Sequence, residues 1–363
     1  MVRLLCIALL CLIPAPFASA QELPFPAAVE DPATLSKAMP DLARAAIAAY
    51  RDDDRRKYFD ALFRLQMVAG QYAEANKTLD DLRALPASNI SPQPGATLVL
   101  YEILARARGR QSADGSAFDE AFRQAFRSAI GRLDDRTSAL VIRSLGVYRW
   151  VLEQNVKDPL EKHRGKSFIS LPDALSLVKA YQVEQAFRIF APLVAPLIAE
   201  DDQRRYTIDQ DVRVRTTDGA TICAVVFRPR GTSRRLPTLL QFTIYAEAKD
   251  NLNEARRAAS HGYAGVVGLT RGKGCSPDKP VPYVHDGSDA AALIDWIAAQ
   301  TWSDGRVGMY GGSYNGFTPW AAAKHGPKAL KAILVGAPVA PGIDVPMEGN
   351  VFWNFVYPSP STS

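Results

Sequence analysis

Ser313 stands in the heptamer Tyr310-Gly311-Gly312-Ser313-Tyr314-Asn315-Gly316, a setting that reads as a serine nucleophile on a tight strand-to-helix turn. The apolar run Val307-Gly308-Met309 precedes it, opened by the turn pair Asp304-Gly305. A helical stretch from Phe317 to His325 follows and is closed by Gly326-Pro327. A serine at such a corner is pushed out of the sheet edge with its hydroxyl exposed, and the next backbone N–H can hold an oxyanion. Small residues are required around it, because the turn packs backbone against backbone and strains the serine dihedrals.

A serine hydroxyl is a poor nucleophile without a base within about 2.6–3.2 Å, and that base needs an orienting acid. The expected chain order is serine, acid, histidine. After Ser313 the sequence offers one histidine, His325, with Asp344 and Glu348 behind it, which is the reverse order. His325 lies about 12 residues along the elbow helix, or about 18 Å away at 1.5 Å per residue, too far to be the base. His163, His261 and His285 precede the elbow. The triad acid and histidine are therefore expected to be missing. The polar tail Tyr357-Pro358-Ser359-Pro360-Ser361-Thr362-Ser363 reads as the end of a truncated or frame-shifted product.

The elements that must position the serine begin near residue 207. Val212, Val214 and Thr216 alternate, Asp218-Gly219 marks a turn, and Thr221 to Phe227 resumes extended character, which predicts a β-hairpin. Strands are expected at Leu236–Tyr245, Tyr263–Leu269, Val307–Met309 and Leu330–Val335. Helices are expected at Asn253–His261 and Ser288–Gln300 between them. Alternating strands and helices imply right-handed crossovers and a mostly parallel sheet after the antiparallel opening pair. The fold class expected is an incomplete α/β hydrolase, the first half of its sheet, preceded by an all-α helical domain.

The run from Trp302 to Gly316 resembles the signature of the serine hydrolases grouped with cocaine esterase and the X-Pro dipeptidyl-peptidases. That family writes its elbow Gly-x-Ser-Tyr-x-Gly, which places Gly316 three residues after Ser313. Thr270-Arg271-Gly272-Lys273-Gly274-Cys275-Ser276 is similar to the family's Arg-Gly-x-Gly-x-Ser loop, and His285-Asp286 through Trp296 to its acidic helix. The likeness covers about Val212 to Pro338. It implies that Ser313 attacks the carbonyl of an ester, an amide or an X-Pro peptide and forms an acyl-enzyme, with no metal or organic cofactor. It also implies an oxyanion hole from the backbone N–H of Tyr314 and the side-chain hydroxyl of Tyr245. A neutral phenol donates without a counter-charge, and losing one such donor typically costs about 3–4 kcal/mol of transition-state stabilisation. Tyr245 has a competing reading as a strand-end core aromatic. Arg271 is expected to hold the sheet edge through carboxylate or backbone contacts, Asp286 to cap its helix, and Tyr310 and Trp320 to pack around the elbow.

From about Thr34 to Asp202 the chain reads as helices. Tyr58, Leu62, Leu65 and Val68, then Tyr72, Ala75, Leu79 and Leu82, recur at helical spacing on either side of Gly70 and predict a helical hairpin. No second copy follows at a fixed period, which excludes a repeat array. Ser116 and Asp119 read as a capping pair ahead of the stripe Phe118, Phe122, Phe126 and Ile130. Another helix is expected from Ser170-Leu171-Pro172-Asp173, where proline suits the first turn. Pro192 and Pro196 break or kink the segment that follows.

Arg3, an apolar run from Leu4 to Phe17 and Ala18-Ser19-Ala20 form the pattern of a cleaved secretory signal over residues 1–20. The run falls short of the roughly 20 residues that span a bilayer, so no stable membrane span is expected. The domains expected are thus the signal 1–20, a helical domain 21–206 and the hydrolase portion 207–363, in a periplasmic or secreted protein. The net charge of +5 is spread along the chain, which argues against nucleic acid as a partner. Past the signal, two cysteines remain, Cys223 and Cys275. Export makes a disulfide between them possible, and the strand-like run 221–227 equally suits Cys223 as a buried apolar residue. No Cys/His cluster has metal-ligand spacing.

Two functions fit this sequence. One is an exported serine hydrolase, inactive as encoded; the other is a non-catalytic remnant whose helical domain binds an unknown protein. A sheet ending after its sixth or so strand exposes an edge and an apolar face. Residues 207–363 expressed alone are therefore expected to aggregate or stay molten; a sharp cooperative melt of that piece as a soluble monomer would refute this.

Overall fold

A computed structural model describes residues 21–25, 32–86, 94–343, 345, 347–348 and 351–352. The signal-like segment 1–20, Asp344 and the tail 357–363 lie outside the described residues.

Strand β1 (Glu22–Pro24) leads to helices α1 (Pro32–Ala49), α2 (Arg55–Val68) and α3 (Tyr72–Ala84). Next come α4 (Pro94–Asp114), α5 (Phe118–Gly131) and α6 (Asp135–Ser144), then α7 (Arg149–Lys162), β2 (Phe168–Ser170) and α8 (Leu171–Phe190). Helix α9 (Val194–Arg205) runs directly into β3 (Tyr206–Arg215), followed by β4 (Thr221–Pro229) and β5 (Leu236–Thr243). The remainder is α10 (Ala248–Ser260), β6 (Ala264–Leu269), α11 (Asp286–Ala299), β7 (Ser303–Ser313), α12 (Tyr314–Ala323) and β8 (Leu330–Pro338), with β9 (Met347–Glu348) and β10 (Val351–Phe352) as a short pair. Among the described residues no helix is long and apolar enough to cross a membrane.

Local chemistry sets these boundaries. The Asp54 carboxylate accepts hydrogen bonds from the N–H groups of Arg56 and Lys57 and starts α2. Gly70, at φ 81°, turns the chain out of α2 into α3, as the glycine between the two apolar stripes predicts. At α8, Ser170 Oγ and the Asp173 N–H and carboxylate close a reciprocal cap. The pair expected at Ser116 and Asp119 does not form. Ser116 donates instead to Asp114 behind it, and Ala117 stands at the helix start without a side-chain cap. A carboxylate already two residues away competes successfully for the serine.

The chain divides into two compact units, one of Met1–Pro86 with Tyr148–Arg188, the other of Ala87–Val147 with Ile189–Ser363. In the first, Met39, Leu42 and Ala46 of α1 pack with Leu65 of α2 and Leu177 and Val178 of α8. Strand β1 pairs antiparallel with β2. The segment 21–206, read from sequence as one helical domain, is thus shared between the units: α4, α5, α6 and α9 group with the sheet. Polar ties, most of them buried, account for this. Arg256 of α10 is held by both oxygens of Asp202 of α9 at 2.6 Å each. Ser138 of α6 donates to Asp201 of α9 at 3.0 Å, and Lys249 of α10 donates to the Leu145 carbonyl at 2.8 Å.

The six-stranded sheet has the order β3-β4-β6-β5-β7-β8. Strand β4 pairs antiparallel with both β3 and β6, and the pairs β5–β6, β5–β7 and β7–β8 are parallel. This is the mixed, mostly parallel sheet of part of an α/β hydrolase. Alternation divides its faces: Val266, Leu240, Phe242, Val307 and Met309 bury against α11 and α12, while Val267 packs with Ala255 and Ala259 of α10. Helix α10 lies so close that a Cβ on Gly265 would sit 2.0 Å from the Ala255 carbonyl oxygen. On β8, by contrast, Leu334 is 75% exposed. A cavity of about 360 Å³ lined by Leu239, Tyr263, Tyr310, Ile333 and Leu334 opens on the α10 side of this part of the sheet, away from Ser313.

Cys223 on β4 and Cys275 in the loop after β6 form a disulfide, with Cα atoms 5.8 Å apart. Their 52-residue separation in sequence hid this; antiparallel pairing of Cys223 with Leu269 brings the loop across it. Closing a loop of that length is worth about 4 kcal/mol in the chain-entropy limit. The Cys223→Ser/Cys275→Ser variant is expected to lose roughly 2–4 kcal/mol in urea denaturation; a loss below about 1 kcal/mol would show that the bond contributes little.

Candidate functional site

Strand β7 ends and helix α12 begins at one peptide bond, and Ser313 sits there with φ 56° and ψ −125°. Such a conformation costs a non-glycine residue about 1–3 kcal/mol and persists only where the surroundings over-determine it. The small residues around Ser313 are part of that constraint. A Cβ on Gly311 would lie 2.2 Å from the Asn315 carbonyl oxygen, so the strand end and the first helical turn touch backbone to backbone. A Cβ on Gly316 would meet Pro338 Cα at 3.1 Å and the Gly336 carbonyl at 3.2 Å. The second glycine therefore stands three residues after the serine because that is the helix position facing β8. The Ser313 carbonyl accepts from Val339 N–H at 3.3 Å, which ties the elbow to the end of β8.

Ser313 itself is exposed. Tyr314 is the first residue of α12, so its N–H falls among the helix donors that have no intrahelical acceptor. Its phenol points inward and is buried. Tyr245 follows the end of β5, its N–H donating to Thr243 Oγ1 at 3.0 Å. Its ring meets that of Tyr314 edge-on at 6.3 Å between centroids. At 52% exposure it is not a core aromatic. The structure thus brings the three residues singled out from sequence, Ser313, Tyr314 and Tyr245, to one corner of the sheet.

Under that corner lies a polar cluster whose centre is Asp286. This residue is fully buried. Its Oδ1 accepts from Thr270 Oγ1 at 2.8 Å, and its Oδ2 accepts from the Tyr314 hydroxyl at 2.8 Å and the Tyr283 N–H at 2.9 Å. The capping role expected for Asp286 is not seen, since His285 occupies the N-cap position of α11 and makes no side-chain cap bond. The carboxylate is drawn away by three better-placed donors. Burial pushes the Asp286 carboxyl above the usual carboxylate range against those hydrogen bonds. Burial, and then the Asp286 charge, push the Tyr314 phenol well above its ordinary value. Tyr283 has φ 68°, a strained value for a tyrosine, and its ring lies 4.8 Å from that of Tyr314. No sequence signal marks Tyr283, because its backbone conformation is imposed by the loop around it.

Arg271 fulfils its expected role at the sheet edge. Its Nε donates to Asp289 at 2.8 Å and its Nη1 to Asp218 at 2.9 Å. The hydrogen bond to Asp289 pushes the guanidinium further toward its charged form, and the Arg271 hydrogen bond holds Asp218 well below the usual carboxylate range. Tyr310 does more than pack: its hydroxyl reaches Glu254 at 3.3 Å, and burial pushes its pKa up to about 12. Trp320 is half-exposed on α12.

Among the described residues no histidine is hydrogen-bonded to Ser313. His163 belongs to the first unit, beside Asp173. His261 ends α10 and hydrogen-bonds the Arg257 carbonyl, and His325 packs its ring against Gly287.

A mostly parallel sheet with a strained serine between its fifth strand and the next helix defines the class: an α/β hydrolase with a nucleophile elbow. Residues 218–359 match the family described as X-Pro dipeptidyl-peptidase (S15 family). Over 134 residues the chain is 37% identical to the cocaine esterase of Rhodococcus sp. (strain MB1 Bresler), covering 35% of this chain and 23% of that protein. Among solved structures, it is similar to a CocE/NonD family hydrolase from Staphylococcus aureus (TM-score 0.32, 23% identity, 35% of this chain and 27% of the other). It is also similar to an α-amino acid ester hydrolase (TM-score 0.34, 28% identity, 38% of this chain and 26% of the other). The chain spans about a quarter of the length of these relatives. Its C-terminal segment belongs to the CocE/NonD, peptidase S15-like hydrolases, an esterase and peptidase family.

If backbone contact at Gly311 builds the elbow, Gly311→Ala should cost about 2–3 kcal/mol in chemical denaturation. Gly312→Ala, whose Cβ would meet only the Gly336 carbonyl at 3.3 Å, should cost clearly less. Equal costs would refute the contact as the constraint.

Proposed function

We propose that this chain carries the nucleophile half of an exported serine hydrolase acting on ester or amide acyl bonds, X-Pro peptides among them. The observation that carries this reading is the conformation of Ser313, strained and exposed between β7 and α12, with the Tyr314 N–H beside it. In the proposed chemistry Ser313 Oγ attacks the carbonyl carbon, and the carbonyl oxygen takes up the negative charge. The Tyr314 N–H and the Tyr245 hydroxyl then stabilise that oxyanion, and on collapse the alcohol or amine departs carrying the proton that Ser313 gave up, leaving an acyl-serine. A small acyl compound or peptide is the substrate, as the names of the esterase and peptidase relatives suggest. Export is supported by the Cys223–Cys275 bond, since disulfides persist in oxidising compartments, together with the signal-like pattern at residues 1–20.

Attack requires that the serine proton be removed. Among the described residues no histidine is hydrogen-bonded to Ser313, so slow turnover is expected of them by themselves. A second reading, a non-catalytic remnant with a partner-binding helical region, is favoured by the same absence of a histidine at Ser313 among the described residues.

A fluorophosphonate probe separates the two. Slow labelling of the full chain, located at Ser313 by peptide mass spectrometry and lost in Ser313→Ala, is expected from a preorganised elbow without its base. Labelling no greater than that of Ser313→Ala, in a chain shown to be folded, would establish the remnant instead.

A further inference from the structure

The geometry points to Asp286 as a positioning residue for the oxyanion donor at Tyr314, acting through the Tyr314 hydroxyl. The inference rests on the proposed roles of Ser313 and the Tyr314 N–H.

A buried carboxylate is costly to keep unless its hydrogen bonds are used. Asp286 is fully buried, and among the described residues no cation is hydrogen-bonded to it; the nearby Arg271 is engaged by Asp289 and Asp218. Its partners are instead neutral donors from three separate segments: Thr270 after β6, Tyr283 in the loop before α11, and Tyr314 at the elbow. Helix capping does not explain it. Nor does Asp286 orient a histidine base: among the described residues no histidine is hydrogen-bonded to it, and its partners are Thr270, Tyr283 and Tyr314.

Two of the three donors, Tyr283 and Tyr314, also meet each other at the Tyr314 side chain. Its hydroxyl donates to Asp286 at 2.8 Å and accepts from the Tyr283 N–H at 3.1 Å. Its ring is enclosed by Tyr283 at 4.8 Å, Phe317 at 5.9 Å and Tyr245 at 6.3 Å. The Cα of Tyr314 carries both this ring and the N–H aimed at the substrate. Fixing the far end of the side chain stops the ring from rotating and hinders the Ser313–Tyr314 peptide from turning. The strained Ser313 dihedrals then have no route to relax. The same contact holds the Tyr245 ring, and with it the second proposed donor, against a fixed wall.

The test compares wild type, Asp286→Ala, Tyr314→Phe and the double variant of the full chain. Two quantities are read: the rate of fluorophosphonate labelling at Ser313, and amide hydrogen exchange in peptides covering residues 310–318. Each single variant is expected to slow labelling by about tenfold or more and to speed exchange in 310–318 while leaving α1 unchanged. The double variant should be no worse than either single one, since both cut the same contact. Asp286→Asn, which keeps an acceptor for the hydroxyl, should recover most of the labelling.

Labelling and exchange within twofold of wild type in the single variants, or losses that simply add in the double variant, would overturn the proposal. If wild type itself does not label, the proposed function fails, and hydrogen exchange alone still decides whether Asp286 holds the elbow. If Asp286→Ala does not fold, Tyr314→Phe decides between the outcomes, because it removes one hydroxyl and leaves the ring packing intact.

Discussion

A serine in the left-handed region of backbone space keeps that geometry only while its neighbours leave no easier one. Here the constraint comes from several directions. The Asn315 carbonyl lies where any side chain on Gly311 would have to go, and β8 lies where one on Gly316 would go. The carbonyl of Ser313 is bonded to Val339. The adjoining tyrosine is anchored at its hydroxyl by a buried carboxylate. Steric exclusion above and hydrogen bonding below together force one backbone conformation. That conformation aims the serine hydroxyl outward and leaves the next N–H without a helical acceptor.

The buried ion pairs serve the same end at a larger scale. Arg271 joins the β3–β4 turn at Asp218 to α11 at Asp289, in the loop that also carries Thr270 and the disulfide. Arg256 joins α10 to α9, and Arg205 joins α9 to Asp135 at the start of α6. Arg271 and Arg205 each stand between two carboxylates, and Arg256 is held by both oxygens of one, geometries that compensate a buried guanidinium well. Removing one partner strands the other, so these ties make the helices around the sheet interdependent. For that reason helices far apart in sequence group with the sheet rather than with their nearest neighbours along the chain.

Much of the α/β portion was legible because its signals are local. Alternating apolar residues marked β3 and β4 on either side of Asp218-Gly219, and the glycine-rich heptamer marked the elbow. Gly70 marked the junction of α2 and α3. Boundaries moved where tertiary pairing extended a strand: β7 reaches from Ser303 to Ser313, well beyond the apolar core Val307–Met309, because parallel pairing with β5 and β8 satisfies its glycines. Ser116 failed as a cap because Asp114 outcompeted it, a choice between near-equal local bonds that spacing does not rank.

By itself the sequence determined the class of the elbow, the identity of its serine and the alternation of strands and helices, since these follow from residue type at short range. Only the tertiary structure decided that Cys223 meets Cys275, that Asp286 serves Tyr314 rather than its own helix, and that α4–α6 and α9 side with the sheet. Those outcomes depend on groups from 28 to 104 residues apart finding one another. Such contacts are set by how the chain closes on itself, and no local pattern encodes which partner wins.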